Sequence, residues 1–556
     1  MLDRNWIKNQ FQSFLNYISE LFIRVYTIMP EDNVLLALPN GTRFKTLGYY
    51  DSFDGFGGTY MVRDNYLYGA KKIDKGNGSF RYLILCNGGN ADEIDVCRYG
   101  IRPTRQAIGS ETNVNYAISN SSIMASFFDG TFTVRNGMIL KFPSGRFFFK
   151  DTINLRTRDC HIQGTMSPRP KLDIQATGGY GNGTVLVFPY LANGEVALEL
   201  GNSTVSDLTV FGNPETYSFV VNRDGALATT TGVTSGEISA SDVITETIKQ
   251  ENGSDIQCIG IHSEGANVIK NVCVAHFYEG MWFKTANTYI DNIQCNQCHT
   301  GLSIGNDTKC RGIYGWGVHT LLEVRGSISS ACQVRVDSCV NVVHLLGGSK
   351  INLTDIDGDW CTDSVILVGD SAHTNSIENC VIVGLHGRCS MLSGGFDRRN
   401  AKTDIREVSD TTKYGLIRVA NGCGFRFNYV VMDSIGGSTY IDGAQYMRTP
   451  TVALTFESGS NGKLKGNHFL IRSSKDAVDG TLLYTYNTAE DIRKAFMLGS
   501  NNSMRIDTEE TTFYVNGTNI RSVVDSLNEV ASSMDGFETL VLASTDFADL
   551  QSRLQN

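Results

Sequence analysis

Residues 260–279 (GIHSEGANVIKNVCVAHFYE), 280–300 (GMWFKTANTYIDNIQCNQCHT) and 301–320 (GLSIGNDTKCRGIYGWGVHT) lie under one another as successive copies of one plan, and further copies begin at Leu321 and Asn341. The starts are spaced by 20, 21, 20 and 20 residues. Each copy opens on an apolar alternation: Ile261; Met281 and Phe283; Leu302 and Ile304; Leu322 and Val324; Val342. A polar turn follows, then a second short alternation: Val272 and Val274; Ile290 and Ile293; Cys310 and Ile313; Cys332 and Val334; Ile351 and Leu353. Period-two patterning inside a long repeat predicts a β-solenoid, in which each coil covers the apolar interior of the next at a strand spacing of about 4.8 Å. Leucine-rich repeats have a similar length, but their Leu/Asn consensus is missing. The expected fold class is therefore all-β, with a parallel β-helix over at least 260–385.

The remaining composition agrees. Among 556 residues, 41% are apolar and 19% charged, which describes an ordered chain, and 57 glycines favour turns over long helices. A net charge of −10 with no basic run argues against nucleic acid and against an anionic membrane as partner. No stretch reaches the roughly 18 apolar residues of a membrane span. Residues 1–29 lack a compact apolar leader with a small-residue cleavage site, so they are expected to be mature structure. The 14 cysteines then read as reduced core residues of a chain folded in a cytosol, with Cys273, Cys295, Cys310, Cys332 and Cys380 on the apolar rows.

Near the start, Ile7, Phe11, Phe14, Ile18, Leu21 and Val25 follow heptad spacing, and near the end so do Ile520, Val523, Leu527, Val530 and Met534. Either run can be an amphipathic helix packed on its own domain. A seam at both ends of one solenoid favours a parallel homotrimer. The expected organisation is an N-terminal helix over 1–30, a small head over 31–92, the β-helix over 93–510 and a helical trimerisation segment over 511–556. Excursions from the solenoid are expected at 201–256 and 388–412, where long loops on a rigid scaffold can bind ligands.

Residues 46–64, TLGYYDSFDGFGGTYMVRD, resemble the head segment of bacteriophage tailspike proteins, where a TLGYY-like strand precedes a Gly-rich turn. IDVCRY at 94–99 resembles their entry into the solenoid, and LKFPSGRFFFKDTINL at 140–155 is similar to their first coil. The Asp-rich segment usual after the entry strand is replaced by IRPTRQAIGSETN at 101–113. The resemblance covers about 46–164 by motif. It implies a pectate-lyase-like right-handed parallel β-helix, a homotrimer on the virion tail that is assembled in the host cytoplasm, attachment to other tail proteins through the N-terminus, and action on a capsule or O-antigen polysaccharide at the host surface. That family fixes no catalytic positions.

Hydrolysis of a glycosidic bond needs two carboxyl groups, about 5 Å apart for retention or about 6.5–9.5 Å for inversion. Stacked coils supply both distances. DIDGDWCTD at 355–363 is the densest acidic patch: Asp355, Asp357 and Asp359 share a parity and Asp363 follows Trp360. On an unbroken strand the three carboxylates would face one way and repel, raising one pKa as a general acid requires. A solvated turn or a cation-binding loop would read the same. A second candidate is the column closing each coil, with Glu279, His299, His319 and Asp359 at equivalent places. Glu279 beside His299 would suit acid/base work, or proton abstraction in a lyase. Trp282, Trp316 and Trp360 offer aromatic faces on which a sugar ring can stack, although tryptophan is also commonly core. The expected catalytic residues are thus Asp357, Asp359, Asp355 and Glu279, with Trp282, Trp316, Trp360, His299, His319 and Asp363 binding substrate.

Cys295, Cys298 and His299 have the start of a zinc pattern but no second ligand pair, so no metal is expected. No phosphate-binding loop stands in a strand-to-helix context, and no cofactor is expected. The function expected is binding and depolymerisation of a bacterial surface polysaccharide, by hydrolysis in preference to elimination. The rivals are a polysaccharide lyase and a non-enzymatic adhesin of the same fold. A cellular pectin-degrading enzyme would carry NTD and GHG motifs, which are missing.

Overall fold

The computed structural model describes most of residues 23–213 and 257–389, a strand pair at 218–220 and 250–252, and scattered strands between 415 and 519. They fall into two compact units, the first reaching His344 and including Gly348–Leu353, the second including Leu345–Gly347 and continuing from Thr354.

The first unit is a parallel solenoid with a small head. Each coil holds a long strand, as in Val268–Ala275 and Tyr289–Asn296, and a shorter one, as in Glu279–Phe283 and Thr300–Ile304. Successive copies pair in parallel and in register: Ile269, Ile290 and Cys310 form one interior row, Val272, Ile293 and Ile313 a second, and Met281, Leu302 and Leu322 a third. All nine side chains are buried. The coil starts read from the sequence at Gly260, Gly280, Gly301 and Leu321 match this register.

Two local devices shape the coil. Between the first two rows sit Asp207, Asn271, Asn292, Gly312 and Gln333, all with positive φ. Asn, Asp and Gly tolerate this left-handed conformation best, and the bend it makes separates two inward side chains by three residues instead of two. Asn271 donates to Asp207 and Asn292 donates to Asn271, each at 2.8 Å, so the bends are tied coil to coil. The second device is a glycine column. A Cβ on Gly260, Gly280 or Gly301 would lie 2.5, 2.6 or 2.8 Å from the backbone oxygen of Gly280, Gly301 or Leu321. Backbone cannot retreat as a side chain can, so Gly280→Ala is expected to destabilise the chain by about 3 kcal/mol. Denaturant unfolding checks this, and an unchanged midpoint would show that the column tolerates side chains.

The bends also correct the sequence assignment of Cys332. With Gln333 at the left-handed position, Ala331 and Val334 point inward, while Cys332 is half-buried. Cys273, Cys295, Cys310 and Cys380 are buried as expected.

The head is a five-stranded sheet in the order Arg24–Tyr26, Arg43–Thr46, Thr59–Arg63, Phe80–Leu85, Lys71–Asp74. Leu35, Leu38, Phe44, Tyr60, Val62, Ile73 and Leu83 form its core. Tyr60 donates to Arg98 O and Tyr99 to Gly69 O, which join the head to the helical turn Val96–Tyr99 that follows the entry strand Glu93–Asp95. Gly57, just before strand Thr59–Arg63, lies so close to Thr46 O that no Cβ would fit. Helix Glu111–Ser126, which the sequence did not announce, covers the first coils, with Ala117 packed among Phe148, Val185, Val187, Phe211 and Ala275.

Three boundaries differ from expectation. Val25, assigned to an N-terminal helical seam, lies in strand Arg24–Tyr26, and the rest of that seam is outside the described residues. Thr204–Phe211 is a coil strand, so the excursion expected at 201–256 starts later, and within it Ser218–Val220 pairs antiparallel with Gln250–Asn252. Strands Thr512–Val515 and Thr518–Asn519 occupy the start of the expected C-terminal helical segment, whose heptad residues lie outside the described ones, as does most of the excursion at 388–412.

The second unit continues the same construction. Ile366, Ile417 and Leu454 align in one parallel row, and Ile382, Val430 and Phe469 in another.

Candidate active site

On the short strands Ile261, Met281, Leu302 and Leu322 point inward, so the next residue of each points out. Pairing places Glu199, His262, Trp282, Ser303 and Glu323 in one column on the outer face of the first unit. At about 4.8 Å per coil, neighbours in the column touch. Buried polar groups concentrate there: His262 is 7%, Glu323 8% and Glu279 9% exposed.

Glu279 enters the column from the side. Gly280 follows it at the tight approach to Gly301, so the outward positions are Glu279 and Trp282, three residues apart. The Glu279 Oε1 has no hydrogen-bond partner among the described residues. Burial pushes its pKa up to about 7, opposed by the Ser303 hydroxyl and by the charges of Arg325 and Lys284, and reinforced by Glu323. Ser303 donates to Glu323 Oε1 at 3.0 Å, so one hydroxyl stands between the two carboxyl groups. Two hydrogen bonds meeting near the tetrahedral angle at a single oxygen set the nearest carboxyl oxygens roughly 5 Å apart.

Glu323 is further held by an ion pair with Arg325, and His344 Nδ1 lies 3.9 Å from it. Cations also flank Trp282, with Lys284 Nζ 4.2 Å and the Arg325 guanidinium 5.4 Å from its ring centroid. On the other side of Trp282, the His262 ring lies at 5.2 Å. His262 Nδ1 is 2.8 and 3.0 Å from the two Glu199 oxygens. Arg156 pairs with both Glu199, at 3.2 Å, and Glu264, at 2.8 Å, and Lys284 reaches Glu264 at 3.5 Å. Chemically the cluster offers a carboxylic acid that keeps its proton near neutrality, a carboxylate held by a cation, and an indole face between them and a buried imidazole.

Of the residues singled out from sequence, Glu279 and Trp282 are in this cluster. His299 and His319 are not in line with Glu279, which pairs with Thr300. His299 stacks on Tyr278 instead, at a ring separation of 4.6 Å, and His319 on His299 at 4.4 Å, on the half-buried exterior. The shift comes from the turn after Phe283, which needs six steps to reach Tyr289 where Ser263 needs five to reach Val268, so equivalent positions from there on are 21 apart, not 20. Trp316 belongs to the row of Ala275 and Asn296 on the long strands, not to the Trp282 column.

Asp355 and Asp357 lie in the second unit, on strand Asn352–Val368. Asp355 has φ 56 and occupies a bend of the kind seen at Asn271. Inward side chains switch from Leu353 to Ile356 across it, so the alternation that put Asp355 on one face with Asp357 is broken. Asp359, Trp360 and Asp363 share that strand, and their side chains are outside the described ones. Cys295 and Cys298 are buried thiols with pKa values raised by burial, while His299 stacks outside, so the three do not form a metal site.

Glu323, Ser303, His262, Glu199, Lys284 and Arg325 were missed in the sequence. A signal existed: His262, Trp282, Ser303, Glu323 and His344 recur at 20, 21, 20 and 21 residues, the period of the apolar rows.

No family model matches the chain, and no curated protein matches its sequence. Among solved structures, it is similar to the enzymatically active domain of tailspike protein 2 of bacteriophage CBA120, at 12% identity over 89% of this chain and 64% of that one, with a TM-score of 0.42. The chain thus spans just under two thirds of that domain. It is also similar to tailspike protein gp49 of Acinetobacter baumannii bacteriophage Fri1, a capsular polysaccharide depolymerase, at 12% identity over 89% of this chain and 76% of that one, TM-score 0.32. A third similarity is to the catalytic domain of a GH87 alpha-1,3-glucanase bound to tetrasaccharides, at 15% identity over 80% and 73% of the two chains, TM-score 0.37.

Proposed function

We propose that this chain is a phage tailspike depolymerase that binds a bacterial surface polysaccharide and cleaves it hydrolytically, with Glu279 as general acid and Glu323 as the second carboxylate. The observation that carries this is the buried Glu279 carboxyl, held protonated up to about pH 7, facing Glu323 across Ser303 and beside an indole face. A carboxyl group that keeps its proton, facing a second carboxyl group, is what acid-assisted glycoside cleavage needs. Trp282 supplies stacking for a sugar ring. The tailspike-like segment at 46–64 supports the virion setting, in which the chain acts as a homotrimer attached through its N-terminal part. Glu323 takes the role the sequence suggested for Asp357 and Asp359.

The roughly 5 Å between nearest oxygens fits the retaining separation of about 5–5.5 Å and falls short of the inverting range. Incubation with a panel of purified capsular and O-antigen polysaccharides is expected to give falling viscosity and new reducing ends, with the first-formed anomer retaining the substrate configuration by NMR. Absence of any chain shortening across the panel, with binding intact, would make the protein an adhesin. Elimination is a second reading, favoured by Lys284 and Arg325 beside Trp282, which could hold a uronate carboxylate. It predicts unsaturated ends with ultraviolet absorbance and no water-derived reducing group.

A further inference from the structure

His262 is the other buried polar side chain of the column with an atom left over. Its Nδ1 is committed to Glu199, whose carboxylate can only accept, so the ring hydrogen is on Nδ1. In the neutral imidazole Nε2 is then a bare acceptor. That atom is buried and has no hydrogen-bond partner among the described residues. Arg156 and the paired carboxylate fix the ring from behind, and Trp282 flanks it. A desolvated acceptor held in one orientation is a recognition element, because only a ligand that supplies a donor satisfies it.

We propose that His262, fixed by Glu199, recognises a hydrogen-bond donor, a sugar hydroxyl or an acylamino N–H, on the saccharide unit that packs against Trp282. The inference rests on the column being the saccharide-binding face, and it adds a specificity residue that takes no part in bond cleavage. It also states a requirement on the polymer: the unit on the His262 side of the cut carries a free donor at one defined position, so substitution there blocks recognition.

The test separates this from the cleavage reading by working where cleavage is off. In the full chain carrying Glu279→Gln, affinity electrophoresis uses the purified capsular or O-antigen polysaccharide that wild-type shortens. Adding His262→Phe, which keeps the bulk and removes the acceptor, is expected to raise the dissociation constant about 10- to 100-fold. His262→Gln, whose carbonyl oxygen can accept, is expected to recover most of that loss. A role confined to packing would not distinguish the two variants in this direction. Monodeoxy glycosides of the constituent sugars, used as competitors of the Glu279→Gln chain, test the same point without touching residue 262: one position should lose competition by about 10-fold. Binding unchanged by His262→Phe, or competition indifferent to every single hydroxyl or N–H, overturns the proposal and leaves the cleavage reading standing. Failure of Glu279→Gln to bind any polysaccharide overturns the saccharide face itself and this inference with it.

Discussion

Glu279→Gln is expected to slow polysaccharide cleavage by about 10³-fold while leaving the coil folded and able to bind. The substitution keeps the shape of the side chain and removes the one proton that Glu279 holds up to about pH 7. In the wild-type chain that proton is available to the leaving oxygen below about pH 7 and lost above it, so the alkaline limb of the rate profile should fall near 7. The variant should have a low, flat rate through that region. Stability follows the same group with a definite sign. A folded-state pKa raised from 4.5 to about 7 means that the native chain binds the proton more tightly than the unfolded one. The stability is full below about pH 4.5 and is lost as pH rises through 7, by up to roughly 3 kcal/mol for this nearly buried group. Glu279→Gln has no such slope, so the variant should gain on wild-type as pH rises and match or exceed it at pH 8. Rates and thermal midpoints between pH 4 and 9 check both claims. An alkaline limb that survives the substitution would take the acid role away from Glu279.

Why the fold could be read and the site only partly follows from what each depends on. Interior rows such as Ile269, Ile290 and Cys310 are repeated in every coil, and repetition survives small errors of counting. A site is a register, and register fails on a single residue. The extra residue in the turn after Phe283 moves the partner of Glu279 from His299 to Thr300, and with it the column that had been read as catalytic. The bend at Asp355 likewise takes that residue out of the aspartate run, because an isolated left-handed residue, Gln at 333 as well as Asn, Asp or Gly elsewhere, has no firm mark in sequence. Helix Glu111–Ser126 was silent for a different reason: TNVNYAISNSSIM is rich in Asn and Ser, which favour turns and caps, and only packing over Phe148 and Val185 makes it helical. Glu279 and Trp282 were identified by residue type, a carboxylate closing one coil and an indole opening the next, and Gly280 between them is fixed by its contact with Gly301.

Removing the partner carboxylate is the second large effect. Glu323→Ala is expected to reduce cleavage at least as much as Glu279→Gln, by about 10³-fold or more, because no other described carboxylate faces Glu279 across Ser303. Its signature differs. Loss of Glu323 takes away a charge that raises the Glu279 pKa and leaves Arg325 and Lys284, whose charges lower it. Any residual alkaline limb should therefore move to lower pH, the reverse of what a purely structural lesion would do. The cavity left by the side chain also admits a small anion. If Glu323 is the nucleophile, azide or formate should restore chain shortening to Glu323→Ala and leave Glu279→Gln unrescued at the bond-breaking step, with azide captured on the face opposite the leaving group. If Glu323 activates water instead, the separation of roughly 5 Å must open on binding, and the first product would be inverted. Ser303→Ala then serves as an internal control: it removes the bridging hydroxyl while leaving both carboxyl groups, and should cost about 10-fold, far less than either acid. A Ser303→Ala loss equal to that of Glu323→Ala would mean that the hydroxyl, not the pair of carboxyl groups, is the working element of the column.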